Sequence, residues 1–253
     1  MKITNQHGAP DAFIKAIESD PYDKGDADFS VTGLIVPPQI ARLSQEHEDK
    51  LSTDVSDEIF KLIGSGVHAV LERAGGDNAE KRYFAEHVST QPAGVITNKI
   101  SGAIDLVEDG AITDYKTTSV TNVQYALKTD WESQLNLYAW LLGQNGIEAT
   151  KLTIVAICRD WFKSRVKKWK NYPPSPVVVI PVPLWSVERR QRFVDERVRI
   201  HTKETTSPCT NEERWMNKTG TKFIRCEDWC SVSEFCPQWR GEDRGNSSKK
   251  SDS

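Results

Sequence analysis

Two aspartates and a lysine within residues 101–117 have the types and spacing expected for metal-dependent hydrolysis. Asp105 and Asp114 lie on two strand-like runs joined by a Glu-Asp-Gly turn, and Lys116 follows Asp114 by two residues. Because strand side chains alternate between faces, Asp114 and Lys116 project from one face, and a hairpin can bring Asp105 beside them. The two carboxylates repel each other unless a hard divalent cation lies between them, and the lysine can then serve a reactive oxygen. The segment therefore predicts a magnesium-dependent hydrolytic site.

The periodicity of the chain predicts the elements that position these side chains. Apolar residues recur at helical spacing from residue 54 to about residue 73, where a Gly-Gly pair follows and ends the helix. Two more helices are predicted, at about 130–143 and 186–203. Strands are predicted at about 82–89, 99–107, 111–117 and 151–159, and the Pro-rich region 160–185 is predicted to be irregular. This order predicts an α/β core in which helices flank a small mixed sheet.

The hairpin motifs resemble those of the PD-(D/E)XK nuclease superfamily. More narrowly, they resemble its RecB-like branch, which includes phage exonucleases and CRISPR-associated adaptation nucleases. The branch has Gly-x-x-Asp on its second strand, matched by Gly102 and Asp105, and Asp-x-Lys on the next strand, matched by Asp114 and Lys116. One position departs from the pattern, since Ile104 stands where the superfamily nominally has proline.

Other motif positions of the branch lie on either side of the hairpin. The histidine of the first core helix is matched by His68 in GSGVHAVLE, and Glu86 in YFAEHV is the candidate for the first-strand glutamate. A Gln-x-x-x-Tyr motif on the following helix is matched by Gln134 and Tyr138. The resemblance covers about residues 55–158 and implies a restriction-endonuclease-like core.

The resemblance also implies a division of roles at the site. The expected Mg²⁺ or Mn²⁺ ligands are Asp105, Asp114, His68 and the backbone carbonyl of Tyr115, with Glu86 as a further candidate. The expected catalytic residues are Lys116, Asp105, Asp114, Gln134 and Tyr138. Lys116 would orient the attacking hydroxide or stabilise charge in the transition state. Gln134 and Tyr138 lie four residues apart on one helix face, so both can reach the same pocket.

The cysteines form a second candidate site. Five are present, which in a cytosolic chain argues against a disulfide framework, and Cys158 lies within an apolar strand as a small buried side chain. The other four are close in sequence, and such thiolates bind Zn²⁺ or an iron–sulfur cluster: Cys209, Cys226, Cys230 and Cys236. Several RecB-like nucleases hold a [4Fe–4S] cluster with one cysteine upstream of the core. Here no cysteine precedes Cys158, so Cys209 is the expected replacement. The cluster would be structural, and Zn²⁺ is the alternative.

Charge is distributed unevenly although the net charge is only −3. Residues 159–170 combine basic residues with Trp and Phe, a composition that can neutralise phosphates and stack against bases. The expected DNA contacts are Arg159, Lys163, Arg165, Lys167, Lys168 and Trp169. The alternative is a solvated surface whose aromatic side chains anchor it to the core.

Together these features predict a metal-dependent DNA nuclease, specifically an exonuclease acting on single- or double-stranded ends in phage or mobile-element recombination or DNA processing. A recombination protein is a further candidate partner. The alternatives are a catalytically inactive nucleic-acid-binding module on the same fold and a nuclease acting on RNA. No run approaches the roughly 18 apolar residues of a membrane helix, and the N-terminus lacks a secretory apolar stretch. We therefore expect a cytoplasmic protein, in the host cytoplasm if phage-encoded.

The expected domain division follows from the same elements. The chain is predicted to comprise an N-terminal extension at 1–53, a nuclease core at 54–203, a cysteine-cluster segment packed on the core at 204–239, and a disordered tail at 240–253.

Overall fold

A computed structural model describes residues 2–19, 24–91, 94–203 and 205–241. The helices are α1 (Asp11–Glu18), α2 (Val31–Ile35), α3 (Pro38–Glu46), α4 (Val55–Gly75), α5 (Thr129–Gln144), α6 (Val187–His201) and α7 (Ile224–Asp228). The strands are β1 (Lys2–Thr4), β2 (Phe29–Ser30), β3 (Ser52–Asp54), β4 (Ala79–Gln91), β5 (Gly94–Glu108), β6 (Ala111–Thr118), β7 (Lys151–Cys158) and β8 (Val177–Val182). No helix of the described residues is both long and apolar enough to cross a membrane.

The described residues group into two compact units. Those of 1–14, 36–56 and 198–253 form one unit, and those of 15–35 and 57–197 form the other. The predicted domain division stays a prediction, although the structure groups residues 36–56 with the cysteine-bearing segment. The expected disorder of the tail concerns residues that, beyond 241, lie outside the described part of the chain.

The larger unit is built on a mixed six-stranded sheet. Strand β5 pairs antiparallel with β4 along one edge, while β6 and the short β2 pair with its other edge. Strand β6 then pairs parallel with β7, and β7 pairs antiparallel with β8. A parallel pair needs a long crossover, and α5 supplies it between β6 and β7. The predicted α/β architecture with a small mixed sheet and helices is confirmed.

Helix α5 forms the centre of this unit. Trp131 and every residue from 133 to 142 are buried, and the helix contacts β4, β5, β6, β7 and α2. A helix buried on nearly all sides belongs in a core rather than on a surface. Its contacts with four strands and α2 fix its position relative to the sheet.

The hairpin between β5 and β6 forms as the sequence predicted, and its turn residues explain its register. Asp109 and Gly110 have φ of 48° and 77°, the left-handed conformation that a two-residue type I′ turn requires. Glu108 therefore pairs with Ala111, and Leu106 pairs with Thr113. Asp105 and Asp114 come next along the two strands, just beyond the last paired residues.

Strand β8 was not predicted, because the Pro-rich region 160–185 was expected to be irregular. Residues 177–182 pair with β7, and Pro181 lies opposite Thr153. Proline cannot donate a hydrogen bond to a ladder, but an edge strand tolerates it, and among the described strands β8 pairs only with β7. The proline was therefore a misleading sign of irregular structure.

The smaller unit has its own apolar core. Strands β1 and β3 form a two-stranded parallel sheet. Leu43 of α3 and Leu51 are buried together with Val232 and Cys236 from the C-terminal segment. Residues of the N-terminal and C-terminal parts of the chain are thus packed into one core.

Gly102 of β5 provides a test of the packing around α5. A Cβ at this position would lie 2.8 Å from Cε1 of Tyr138 and 3.0 Å from Cγ2 of Val31. We expect Gly102→Ala to lower the free energy of unfolding by about 1–3 kcal/mol, the usual cost of overpacking a core. Urea denaturation monitored by circular dichroism measures the change.

Gly64→Ala is the matched control, because a Cβ on Gly64 in α4 would meet no atom within 4 Å. It should raise the free energy of unfolding by about 0.5–1 kcal/mol, through the higher helix propensity of alanine. Equal effects of the two substitutions would contradict the packing described for Gly102.

Candidate active site

Two aspartates occupy the point where β5 and β6 cease to pair. Asp105 and Asp114 are 8% and 1% exposed. The backbone N–H of Tyr115 donates to Oδ2 of Asp105 over 2.6 Å. The hydrogen bond between the two strands is thus accepted here by a side-chain carboxylate and not by a backbone carbonyl. The hairpin thus brings both carboxylates out of water and close to each other.

Lys116 pairs with Asp114 on the same face of β6, as strand alternation predicted. Its Nζ lies 3.0 Å from Oδ1 and 2.7 Å from Oδ2 of Asp114, with hydrogen-bond geometry satisfied at Oδ1. Burial raises the pKa of Asp114 to about 6, and the nearby Asp105 also raises it, whereas the lysine opposes the shift. The lysine side chain keeps about a quarter of its surface exposed, so it remains accessible from the site.

His68 of α4 approaches this pair of strands from the helix side. Its Nδ1 lies 3.4 Å from Oδ1 of Asp105 and 3.3 Å from Oε1 of Glu80. Hydrogen bonds to Asp105 and to Glu80 raise the pKa of His68 from 6.5 to about 10. The protonated ring therefore stabilises the metal-free fold below about pH 6.5, and this contribution is lost as the pH rises toward 10.

Glu80 completes a group of three potential metal ligands. In the described part of the chain, His68, Glu80 and Asp105 are the group whose ligand atoms all lie within 4.8 Å of one another. Glu80 is the second residue of β4, and the residues on either side of it pair so that it faces Asp105. Its φ of 49° is uncommon for a residue with a side chain, and such strain is concentrated at functional sites.

Glu86, the predicted first-strand glutamate, is not part of this group. It is exposed, and it pairs with Lys99 in the ladder between β4 and β5. At about 3.3 Å per residue it lies roughly 20 Å along β4 from Glu80. Glu86 as a ligand stays a prediction. Glu80 was not predicted, because the strand was expected to begin near residue 82, which left Glu80 in the preceding turn. A β4 beginning at Ala79 would have identified it.

The donor set fits a hard divalent cation. Two carboxylates and one imidazole nitrogen suit Mg²⁺ or Mn²⁺, and the imidazole must be neutral to act as a ligand. Asp114 lies near enough to interact electrostatically with Asp105 and His68, although it is outside the group of three. Ligation by Asp114 and by the Tyr115 carbonyl stays a prediction.

Gln134 and Tyr138 lie side by side in α5, as their spacing predicted. Nε2 of Gln134 donates to the hydroxyl of Tyr138 over 3.0 Å, and both side chains are buried. The Tyr138 ring lies against Gly102, three residues before Asp105 on β5, which explains why a glycine is needed there. The two residues therefore connect α5 to the strand that carries Asp105, and their catalytic roles stay a prediction.

The sequence of this chain matches a known protein family. The sequence model of the PD-(D/E)XK nuclease superfamily matches residues 39–237. The chain belongs to this superfamily.

The fold of this chain is also similar to that of a solved structure. The crystal structure of SSO0001 has a TM-score of 0.57 with this chain at 19% sequence identity, and the match covers 89% of this chain and 94% of that one. At this identity the likeness concerns the fold alone. No curated protein matched the sequence. As a member of this superfamily, the protein is in general terms a metal-dependent nuclease with a restriction-endonuclease-like core.

The smaller unit of this PD-(D/E)XK protein brings the four predicted cluster cysteines to one cavity. Cys209, Cys226, Cys230 and Cys236 all line it. All five cysteines of the chain are free thiols, and Cys158 is buried elsewhere beside Val120 and Tyr172. Burial raises the pKa of Cys209 to about 12, and the three neighbouring sulfurs contribute to the shift. Without a metal the Cys209 thiol is therefore protonated.

Two glutamines hold the cysteine cavity in shape. Nε2 of Gln39 donates to Sγ of Cys236 over 3.3 Å, while its Oε1 accepts the backbone N–H of Cys209. The side chain of Gln238 bonds both the N–H and the carbonyl of Cys209. Cys209, which the sequence offered as the replacement for an upstream cysteine, is therefore fixed at two points. Sequence reasoning missed both glutamines because no metal-ligand pattern includes them.

The basic segment follows β7 directly and lies on the surface. Lys163, Lys167, Lys168 and Trp169 are exposed, as is Arg159 at its start. Trp161 and Val166 of the same segment instead pack against the buried residues that surround Cys158. The loop is thus anchored by some aromatic side chains and exposes others, and its contacts with DNA stay a prediction.

The contrast between Glu80 and Glu86 can be tested by metal binding. Glu80→Gln should weaken Mn²⁺ affinity by more than roughly tenfold. Substitution of residues that only orient a metal ligand already costs about tenfold, and loss of a ligand should cost more. Glu86→Gln removes the same charge from the same strand and should leave the affinity unchanged. Isothermal titration calorimetry measures both, and a larger loss in Glu86→Gln would overturn the assignment.

Proposed function

We propose that this protein is a Mg²⁺- or Mn²⁺-dependent deoxyribonuclease that hydrolyses phosphodiester bonds at DNA ends. The observation that carries the proposal is the convergence of His68, Glu80 and Asp105 near the buried Asp114 and its ion-pair partner Lys116. These side chains come from α4, β4, β5 and β6, so four elements meet at one point.

The carboxylates and His68 would hold the divalent ion. When bound, the ion supplies positive charge next to the phosphodiester and promotes ionisation of a water molecule. Asp105 is kept in position by the N–H of Tyr115, and Glu80 by its contact with His68. This preorganisation lowers the cost of assembling the site when substrate arrives.

Lys116 would act on the substrate rather than on the ion. Its ammonium group is held by Asp114, so it is fixed close to the carboxylates, yet part of it stays exposed. A fixed cation in a site with little water stabilises the negative charge that develops on the phosphate oxygens. Gln134 and Tyr138 would support this pocket from α5, where they are bonded to each other.

The basic segment after β7 would bind the DNA backbone. Its exposed lysines and Arg159 can neutralise phosphates. Counterions of the DNA are then released, so binding depends on the salt concentration. Membership of the RecB-like branch, exonucleolytic action, a role in phage or mobile-element recombination with a partner protein, and a place in the cytoplasm extend the proposal. The motif resemblance supports the branch, the exonucleolytic action and the recombination role, whereas the cytoplasmic location is an expectation from the absence of a long apolar run.

Lys116→Ala tests the catalytic assignment. We expect cleavage of end-labelled linear DNA in Mg²⁺ or Mn²⁺ to fall by about 10²–10³-fold, the usual loss when one transition-state donor is removed. DNA binding in EDTA should stay close to wild type. Lys151→Ala is the control, because that lysine is exposed at the start of β7 and should be dispensable.

The outcomes separate the alternatives. Cleavage of linear but not circular DNA would support exonucleolytic action, whereas cleavage of RNA alone would make the protein a ribonuclease. A wild-type protein that binds DNA but cuts nothing would be a binding module. A Lys116→Ala variant that cuts as fast as wild type would show that another site is responsible.

We further propose that the cysteine cavity holds a [4Fe–4S] cluster with a structural role. Sulfurs around one tetrahedral Zn²⁺ lie about 3.8 Å apart, given Zn–S bonds of about 2.3 Å. In the described part of the chain, no three of the four sulfurs fall within 4.8 Å of one another. This wider spacing supports a cluster rather than a single ion. The cavity is also lined by Arg214 and Arg225, whose charges would offset those of the thiolates.

Anaerobic purification followed by iron, sulfide and zinc analysis tests the cluster. The wild type should contain about four irons per chain, as expected for a [4Fe–4S] centre. Cys209→Ser should lose most of the iron, whereas Cys158→Ser should retain it because that thiol lies outside the cavity. Zinc in place of iron would select the alternative ion. The absence of both metals would overturn the proposal.

A further inference from the structure

We infer that an exposed surface of rings and guanidinium groups binds unpaired nucleotides by stacking, so that the protein engages single-stranded DNA. The stacking surface consists of Phe60, Arg159, Phe162, Arg165 and Trp169. The inference rests on the proposed nuclease function and adds the strand state of the substrate to it.

Phe162 and Trp169 stay exposed although their loop buries other apolar side chains, and Phe60 of α4 is exposed as well. Phe60, Phe162 and Trp169 are 51%, 53% and 53% exposed. Their neighbours Trp161 and Val166 are packed inward against buried residues. Large exposed apolar side chains that lie together on a surface mark a binding site.

The loop that carries the surface is held in one conformation. The indole N–H of Trp161 donates to the carbonyl of Pro173 over 2.8 Å. The backbone N–H of Phe162 donates to the hydroxyl of the buried Tyr172, also over 2.8 Å. Asp160, the acidic residue of the loop, accepts the N–H of Val120 over 2.7 Å. A preformed surface loses less entropy when it binds a ligand. The carboxylate of Asp160 is already hydrogen-bonded to the backbone.

Each exposed ring has an arginine over it. The guanidinium of Arg165 lies 4.6 Å from the ring centres of both Phe162 and Trp169. The guanidinium of Arg159 lies 4.0 Å from that of Phe60. Nucleobases stack on aromatic rings and on guanidinium planes alike, and stacking tolerates any base because each has a flat face.

The choice of an unpaired strand follows from which base faces are available. Inside a duplex both faces of every base are covered by its neighbours, so protein rings can reach them only at ends or unpaired sites. A single strand presents these faces together with its phosphates. Exposed Lys163, Lys167 and Lys168 beside the rings are placed to neutralise those phosphates.

The stacking surface adjoins the candidate active site through two elements. Phe60 lies on α4 eight residues before His68, which corresponds to about 12 Å along the helix axis. Strand β7, which leads into the loop, pairs in parallel with the strand that carries Lys116. Arg159 is bonded through its N–H to the carbonyl of Thr118, two residues beyond that lysine. A strand stacked on these rings would thus be led toward the metal ligands.

Fluorescence anisotropy in EDTA with a labelled oligothymidylate and a blunt duplex of equal length tests the inference. Phe162→Ala and Trp169→Ala should each weaken single-strand binding by about five- to a hundredfold, the range for loss of one stacked base. Their duplex affinity and salt dependence should stay near wild type. Lys167→Ala should instead reduce the salt dependence for both DNAs, because it removes a phosphate contact.

Two controls address folding and position. Trp169 also contacts the Tyr172 ring, so Trp169→Phe should restore most of the affinity if stacking is the cause. Phe13→Ala removes an exposed ring from α1 and should have no effect on either DNA. If Trp169→Ala does not fold, Phe162→Ala decides the question, since that ring has no buried packing role among the described contacts.

The inference fails if the aromatic variants bind the single strand as wild type does, or if they lose single strand and duplex equally. Cleavage assays on the same preparations separate this from failure of the nuclease proposal. An active enzyme with unchanged single-strand binding in the variants would overturn stacking alone. An inactive wild type whose single-strand binding still depends on the rings would overturn only the nuclease function.

Discussion

The close approach of buried carboxylates is the constraint on which the active site depends. Asp105 and Asp114 are nearly inaccessible to water, and burial together with the nearby Asp105 raises the pKa of Asp114. Such charges are costly unless cations or hydrogen bonds compensate them. Lys116 compensates Asp114, while His68 bridges Asp105 and Glu80. A divalent ion held by the same three side chains would compensate the carboxylates in place of the proton on His68.

The backbone holds this arrangement through two different devices. The Asp109-Gly110 turn sets the pairing of β5 with β6, so the two aspartates arrive at the same level of the sheet. Helix α5, buried nearly all round, supports the hairpin and packs Tyr138 against Gly102. Local turn chemistry thus fixes the register, and long-range packing fixes the position of the strands relative to the helices.

Much of the core was predictable because its signals are local. The helical period of residues 55–75, the Asp-Gly hairpin and the buried run of β7 each depend on residues close in sequence. The errors arose where pairing across the sheet decided the outcome. Pro181 suggested irregular structure, yet β8 forms because the edge of β7 was available to it. Glu80 was not predicted as a ligand because the start of β4 is set by its pairing with β5.

By itself, the sequence determined the hairpin, the Asp-x-Lys spacing and the closeness of the cysteines, since a strand alternates its faces and a turn requires particular residues. Only the tertiary structure decided that Glu80 joins His68 and Asp105, that Gln39 reaches Cys236, and that Phe60 lies under Arg159. These contacts join residues far apart in the chain. Such pairs are created when the sheet and helices pack, and no local pattern of residue types encodes which partners will meet.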